Sequence, residues 1–330
     1  ADITTTIRGD DHLAGALFER SIEAARRVGD TRPLARSLLM AAWVPYRQNR
    51  LDEAETLFRE ALEIARSDPN ADPWAEVQAL VGIASVISAR GSEDDAITVG
   101  REALLVGERA EQPFTIAVAH QLVASSLRRS MRLDEAAGHI DTAVVGFRGL
   151  GARWELASAL ADRGAIDRLA GRLDDAVTDL EEASVLCREL KDRALVTPTA
   201  AELARTLGMA GDLAAAREVL ADPFSRIAEM EPGAGTSLLM AEAAIAFAED
   251  DREGALAKSL AALDRVSSDP VVPNPQAAVI WWTGFLFGAA VVGGEEALDR
   301  GRETLERNGW QQALREPELL GSVPADGRGG

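Results

Sequence analysis

The chain has 330 residues with 54 acidic and 35 basic side chains, which give a net charge of -19 at pH 7. Such an acidic chain lacks the basic surface that nucleic acid or an anionic membrane would need. One cysteine, Cys187, excludes an intramolecular disulfide, and three histidines leave little material for a zinc site. We therefore expect a reduced, cytoplasmic compartment, no nucleic-acid or membrane partner, and no cofactor.

A short pattern returns along the chain about every forty residues. The string Leu51-Asp52-Glu53-Ala54 reappears with small changes at 93–96, 133–136 and 173–176, and more loosely elsewhere. We use its last alanine as an anchor. The anchors are Ala14, Ala54, Ala96, Ala136, Ala176, Ala216, Ala255 and Ala297, separated by 40, 42, 40, 40, 40, 39 and 42 residues. A period of this length indicates a repeat architecture.

Fixed offsets around the anchors indicate two helices in each unit. Small residues stand twelve before the anchor, at the anchor and seven after it, and a large residue stands four after it. Offsets of four and seven lie on one helical face, so large and small residues alternate along one contact surface. Small residues let two helix backbones approach, while large ones fill the space beside them.

In chain order, we expect an N-terminal arm at 1–9, a lone repeat helix at 10–29 and seven helix pairs at 30–308. The lone helix has no room before it for a first helix, so the chain is either a fragment of a longer polypeptide or begins with a native cap. A cap at 309–320 and a disordered tail at 321–330 complete the expected single domain over 1–330.

Proline and aspartate predict several helix boundaries. Asp72-Pro73 is typical of a helix start. Pro45 should kink or stop its helix near Val44, because it removes one backbone hydrogen bond and crowds the preceding turn. Pro223 occupies a position where other units have a small residue, so we expect the helix to break at Asp222 and then restart.

The small-large-small offsets resemble the tetratricopeptide repeat (TPR), in the lengthened form found in kinesin light chain and in C-terminal regions of bacterial multidomain regulators. The resemblance covers about residues 10 to 308. It implies an all-α fold, a right-handed α-solenoid of tandem helix-turn-helix repeats. Armadillo or HEAT repeats are the alternative, and they fit the offsets less well.

No set of residues predicts catalysis. Cys187 has the spacing of a small buried residue. His120 occupies a large-residue packing position, and His139 precedes the packing residue Ile140; neither is followed four residues later on its helix by a second metal ligand. We expect a protein that is not an enzyme and that binds no metal.

The resemblance implies a concave groove lined by the first helix of each pair, at positions 18, 15, 11, 8 and 7 before each anchor. These 35 positions contain six arginines and no acid. Arginine recognises carboxylate or phosphate through paired hydrogen bonds, and aromatic residues anchor apolar groups. The candidate ligand-binding residues are Arg36, Trp43, Tyr46, Arg47, Gln121, Ser125, Arg128, Arg129, Arg168, Arg205 and Trp282.

Three functional hypotheses follow. The first is an interaction scaffold that binds an acidic or C-terminal peptide in the Arg-lined groove. The second is an effector-sensing or autoregulatory TPR domain of a bacterial transcription or signalling regulator ATPase, whose partner is a domain of its own parent chain. Self-association through the apolar segment Val279–Val292 is the third. An alternative for the arginines is that they pair internally with acids of neighbouring second helices.

Overall fold

A computed structural model of the protein describes residues 11–48, 50–67, 73–227 and 232–268. Thirteen helices, and no strands, occupy these ranges. In chain order they are α1 (Asp11–Val28), α2 (Thr31–Arg47), α3 (Leu51–Ser67), α4 (Pro73–Ala89), α5 (Glu93–Arg109), α6 (Pro113–Arg129), α7 (Leu133–Leu150), α8 (Arg153–Leu169), α9 (Leu173–Leu190), α10 (Arg193–Ala210), α11 (Leu213–Ala221), α12 (Pro232–Ala248) and α13 (Arg252–Ser268).

The helices pack as consecutive antiparallel pairs behind the lone helix α1. We call the first helix of each pair an A helix (α2, α4, α6, α8, α10, α12) and the second a B helix (α3, α5, α7, α9, α11, α13). Every helix packs against its sequence neighbours, and successive A helices also contact one another. No contact of similar extent joins two B helices within the described ranges. The A helices are therefore closer together and line the inner side of an all-α solenoid.

The recurring residues form the core that joins the two rows. The anchors from Ala54 to Ala216 are fully buried, and so are the alanines seven residues after the first four of them. Phe58, Ile140 and Leu180, four residues after their anchors, are also fully buried. The repeat pattern thus predicted the contact surface between helices correctly, residue by residue.

Two glycines mark the closest helix contacts. A Cβ atom placed on Gly82 of α4 would lie within 2.5 Å of three ring carbons of Phe58. A Cβ atom on Gly164 of α8 would lie 2.6 Å from Cγ of Leu180. At both places a large B-helix side chain fills the space that a side chain on the A helix would need, so glycine is required by packing.

The helix boundaries follow the expected local chemistry, with one correction. Helix α4 begins at Pro73, and α11 ends at Ala221 with Asp222 as its C-terminal cap, both as predicted. The predicted restart is not seen in the described residues 223–227, which form turns. The prediction of a stop near Val44 was wrong, because α2 continues through Pro45 to Arg47. Pro45 lies in the last turn, where the backbone N–H of Gln48 bonds to carbonyls of residues 44 and 45 and closes the helix. The shortened α11 also lets α10 pack directly against α12.

Ion pairs on the outer side connect α1 to the first B helix and connect successive B helices to one another. The arginine twelve residues after one anchor bonds to the acid six residues after the next anchor. The pairs are Arg26–Glu60, Arg66–Glu102, Arg148–Glu182 and Arg188–Asp222. Because most of these side chains remain well exposed, each pair contributes at most about 1 kcal/mol to stability.

Several sequence predictions fall outside the described residues. These are the N-terminal arm at 1–9, the seventh helix pair, Trp282, the segment Val279–Val292, the cap at 309–320 and the tail at 321–330. Within the described ranges, none of the helices combines the length and apolar character needed to cross a membrane.

Candidate functional site

The candidate site is the inner surface, by which we mean the side of the A-helix row that faces away from the B helices. Each predicted residue within the described ranges is on an A helix: four on α2, four on α6, Arg168 on α8 and Arg205 on α10. The structure therefore brings residues that are up to 169 positions apart in the sequence (36 to 205) onto one row of helices.

The α2 end of this surface is aromatic. The ring of Trp43 meets the rings of Tyr46 and Phe58 edge to face, with centroids 5.2 and 5.1 Å away. The exposed guanidinium group of Arg36 lies 4.5 Å from the ring centroid of Trp74 on α4. These contacts are worth about 0.5 to 1.5 kcal/mol each, and the one between Arg36 and Trp74 joins the first two A helices.

Arg129 makes a buried ion pair with Glu93, the first residue of α5. Its Nε lies 2.9 Å from both carboxylate oxygens of Glu93, and Ser88 on α4 donates a 2.6 Å hydrogen bond to the same carboxylate. Tyr46 is also buried, and its burial raises the pKa of its hydroxyl to about 12; nearby Arg129 opposes this shift and Glu93 adds to it. Residues from α2, α4, α5 and α6 therefore form one polar group.

Arg128 is much less well compensated than Arg129. Only 4% of its surface is exposed, and its closest described carboxylate is that of Asp162 on α8, 3.7 Å away. That carboxylate already accepts hydrogen bonds from Gln121 at 2.9 Å and Ser125 at 3.3 Å. Burial lowers the pKa of the Arg128 guanidinium group, and the charge of Asp162 only partly opposes this.

Arg168 and Arg205 hold one carboxylate between them. Nε of Arg168 donates a 2.5 Å hydrogen bond to one oxygen of Glu202, and Nη2 of Arg205 bonds to the other oxygen. Burial alone would raise the pKa of Glu202, but the two guanidinium groups lower it to about 2. Burial, together with nearby Arg168, lowers the pKa of Arg205 to about 10. The three residues are at most 9% exposed.

Acidic side chains lie among the arginines, although the sequence predicted a groove without acids. The 35 groove positions contain no acid, but Glu93, Asp162 and Glu202 reach the same arginines from other positions. Internal pairing, the alternative considered for the arginines, is therefore present. Its acids come mainly from A helices, whereas that alternative named B helices; only Glu93 belongs to a B helix.

A signal for two of these acids was present in the sequence. Asp162 and Glu202 both stand fourteen residues before their anchors, an offset outside the five groove positions that were considered. The offset of fourteen is three residues away from one of those groove positions, the one eleven residues before the anchor. Residues three apart share a helix face. Including this offset would have placed both acids beside the arginines.

The two histidines meet each other, which the search along single helices missed. Nδ1 of His120 on α6 lies 2.9 Å from Nδ1 of His139 on α7. Burial lowers the pKa of both imidazoles; His139 lowers that of His120 further, and Arg101 lowers that of His139. Glu108 and Glu135 partly oppose these shifts. No three potential metal ligands gather anywhere in the described part of the chain.

Cys187 is fully buried, as the sequence predicted for a small packing residue. Burial raises the pKa of its thiol to about 11, and the hydroxyl of Thr199 lies 3.9 Å from its sulfur. A thiol in this state is a poor nucleophile at neutral pH.

Comparisons with known proteins agree with this architecture. The profile of the tetratricopeptide repeat family matches residues 4–67. The sequence has no match among curated proteins.

Similar solved structures extend the likeness to most of the chain. A Rap protein complexed with competence and sporulation factor has a TM-score of 0.66 and 13% identity, over 92% of this chain and 87% of its own. The Rap conjugation gene regulator of the plasmid pLS20, in complex with the Phr* peptide, has a TM-score of 0.66 and 14% identity, over 88% and 78%. BtubC from P. vanneervenii has a TM-score of 0.54 and 22% identity, over 66% and 91%. With the buried repeat pattern, these similarities show that the chain has the α-solenoid fold of tetratricopeptide-repeat proteins, and the profile of that family matches its residues 4–67.

Proposed function

We propose that the protein is a non-catalytic binding module that accommodates an acidic peptide, or a protein segment ending in a carboxylate, along its inner surface. The observation that carries this proposal is the accumulation of buried arginines from α6, α8 and α10 on that surface. An overall charge of -19 makes this local basic cluster unusual for the chain. Complementary charge gives a partner both orientation and specificity.

The similar structures support a peptide as the ligand. Two of them are Rap proteins in complex with a factor or a peptide, and both superpose on most of this chain. In this proposal the peptide lies along the row of A helices, each of which contacts the next. We place the protein in the cytoplasm, with no nucleic-acid or membrane partner and no cofactor.

A second candidate function is an autoregulatory or effector-sensing domain within a larger bacterial regulator. The similarity to a conjugation gene regulator favours it. In that case the acidic segment belongs to the parent polypeptide. Peptides taken from the parent chain would then bind the inner surface more tightly than unrelated peptides of equal charge.

Three further features remain part of the proposal: the single domain over 1–330, the seven helix pairs, and self-association through Val279–Val292. Light scattering at high protein concentration tests the last of these. A protein that remains monomeric would exclude it.

Peptide binding tests the function directly. Fluorescence anisotropy with a panel of labelled peptides of graded charge should show affinity rising with the number of carboxylates at constant ionic strength. Equal affinity for acidic, neutral and basic peptides would contradict the proposal.

A matched pair of surface variants locates the binding surface. Met209 on α10 is 53% exposed on the inner side, and Val145 on α7 is 69% exposed on the outer side. Met209→Glu should weaken binding of the acidic peptide at least tenfold, because it adds a carboxylate beside the arginines. Val145→Glu adds the same charge on the outer side and should leave the affinity unchanged. Equal losses in both variants would mean that the peptide binds elsewhere.

A further inference from the structure

Three arginines on the inner surface share only two carboxylates. Arg128, Arg168 and Arg205, which we call the three-arginine cluster, interact electrostatically with one another across α6, α8 and α10. Asp162 and Glu202 supply the negative charges. Three positive and two negative groups leave one positive charge that is not balanced within this group.

The hydrogen-bonding capacity of the cluster is also incompletely used. Nε of Arg128 and Nε of Arg205 are buried without a hydrogen-bond partner. A guanidinium group keeps its proton under ordinary conditions, so it cannot relieve this burial by becoming neutral. Leaving a charged donor buried and unpaired is costly, and an added acceptor would offset the cost.

Glu202 shows which chemistry the cluster recognises. Two guanidinium groups from different helices bond to separate oxygens of its carboxylate. Arginine forms such paired bonds with carboxylate and phosphate alike. A second anion of this kind would meet donors that already face a carboxylate in the same cluster.

Met209 is an exposed residue in contact with the cluster. Its sulfur lies 3.9 Å from Nη1 of Arg168, while half of the side chain is exposed. Methionine is unbranched and adapts its shape easily, so it can move aside without disturbing the helix.

We propose that the three-arginine cluster is a binding site for a single anionic group, a carboxylate or a phosphate, which enters past Met209 and accepts hydrogen bonds from Arg128 and Arg205. One negative charge would bring the cluster to neutrality. The identification of this group with the acidic end of a bound peptide rests on the proposed function. The site itself is defined by the arginines.

Inorganic phosphate tests the site without any peptide. The full-length protein should show a saturable rise in melting temperature as phosphate replaces chloride at constant ionic strength, because a ligand that binds the folded state stabilises it. N-acetylglycine supplies a carboxylate and should act in the same way, whereas the uncharged N-acetylglycinamide should not. A response to phosphate alone would restrict the site to phosphate, and a response to N-acetylglycine alone would restrict it to carboxylates.

Variants separate specific binding from the general stabilising effect of phosphate on proteins. Arg128→Gln should weaken the response at least tenfold, while Arg148→Gln, in an exposed ion pair on the outer side, should keep it. Met209→Glu provides a second test that leaves the buried residues untouched, and it should abolish the response that Val145→Glu retains. An equal response in the wild type, Arg128→Gln and Met209→Glu would overturn the proposal.

These outcomes also distinguish the two proposals. Peptide binding that is sensitive to Met209→Glu, without a specific phosphate response, would overturn the anion site and leave the binding function standing. A specific phosphate response without binding of any acidic peptide would do the reverse.

Discussion

Replacing Gly82 with alanine tests the packing between A and B helices most sharply. The new methyl group would lie within 2.5 Å of three ring carbons of Phe58, which is fully buried. The Phe58 ring also contacts Trp43 edge to face at 5.1 Å, so it has little room to move. Overpacking of this kind costs about 1 to 3 kcal/mol. Alanine in a helix interior returns about 1 kcal/mol relative to glycine, so the net loss should be about 0 to 2 kcal/mol.

Gly138 in α7 is the matched control, because a methyl group there would have no neighbour within 4 Å. Gly138→Ala should therefore stabilise the protein by about 0.5 to 1 kcal/mol. Urea denaturation followed by circular dichroism gives both values. The propensity term is common to the two variants, so their difference of about 1 to 3 kcal/mol measures overpacking alone. Equal effects of the two substitutions would refute the close contact between α4 and Phe58.

Three further predictions concern other buried groups. Because the folded state lowers the pKa of His120 and His139, the unfolded chain binds more protons below about pH 6.5, and stability should fall as the pH drops through that range. The double variant His120→Leu, His139→Val should flatten the dependence of stability on pH between pH 7 and 5. An unchanged slope would contradict this explanation. Cys187 should react with a thiol reagent only after urea unfolds the chain, and rapid labelling of the native protein would show that it is accessible. Ala136→Leu should lower the free energy of unfolding, measured by urea denaturation, by about 1 to 3 kcal/mol through overpacking. Asp141→Leu, at a mostly exposed position, should change it by less than about 0.5 kcal/mol. Similar costs would mean that the assigned helix faces are wrong.

The sequence was sufficient to predict the helix pairs and the core that joins them. Alanine anchors at regular intervals identify positions where two backbones must approach, and this requirement depends only on spacing within one unit. Ala54 and Ala136 are fully buried for that reason. Helix starts such as Pro73 are equally local, because the proline ring fixes its own backbone angle.

Pairing between units was harder to predict. The contact between Glu202 and Arg168 joins residues 34 positions apart, and it depends on how one A helix is aligned with the next. The contact between His120 and His139 lies within one unit, but it too depends on how two helices, α6 and α7, are aligned. The spacing of residues along a single helix does not specify how that helix is aligned with its neighbour. Hence the arginines were found from the sequence, while their internal acids were missed.

Competition between phosphate and an acidic peptide tests the central claim most directly. The apparent dissociation constant of the labelled peptide should rise linearly with phosphate concentration when chloride is lowered to keep the ionic strength constant. Peptide affinity that stays the same in phosphate and in chloride would contradict binding of its acidic group at the three-arginine cluster.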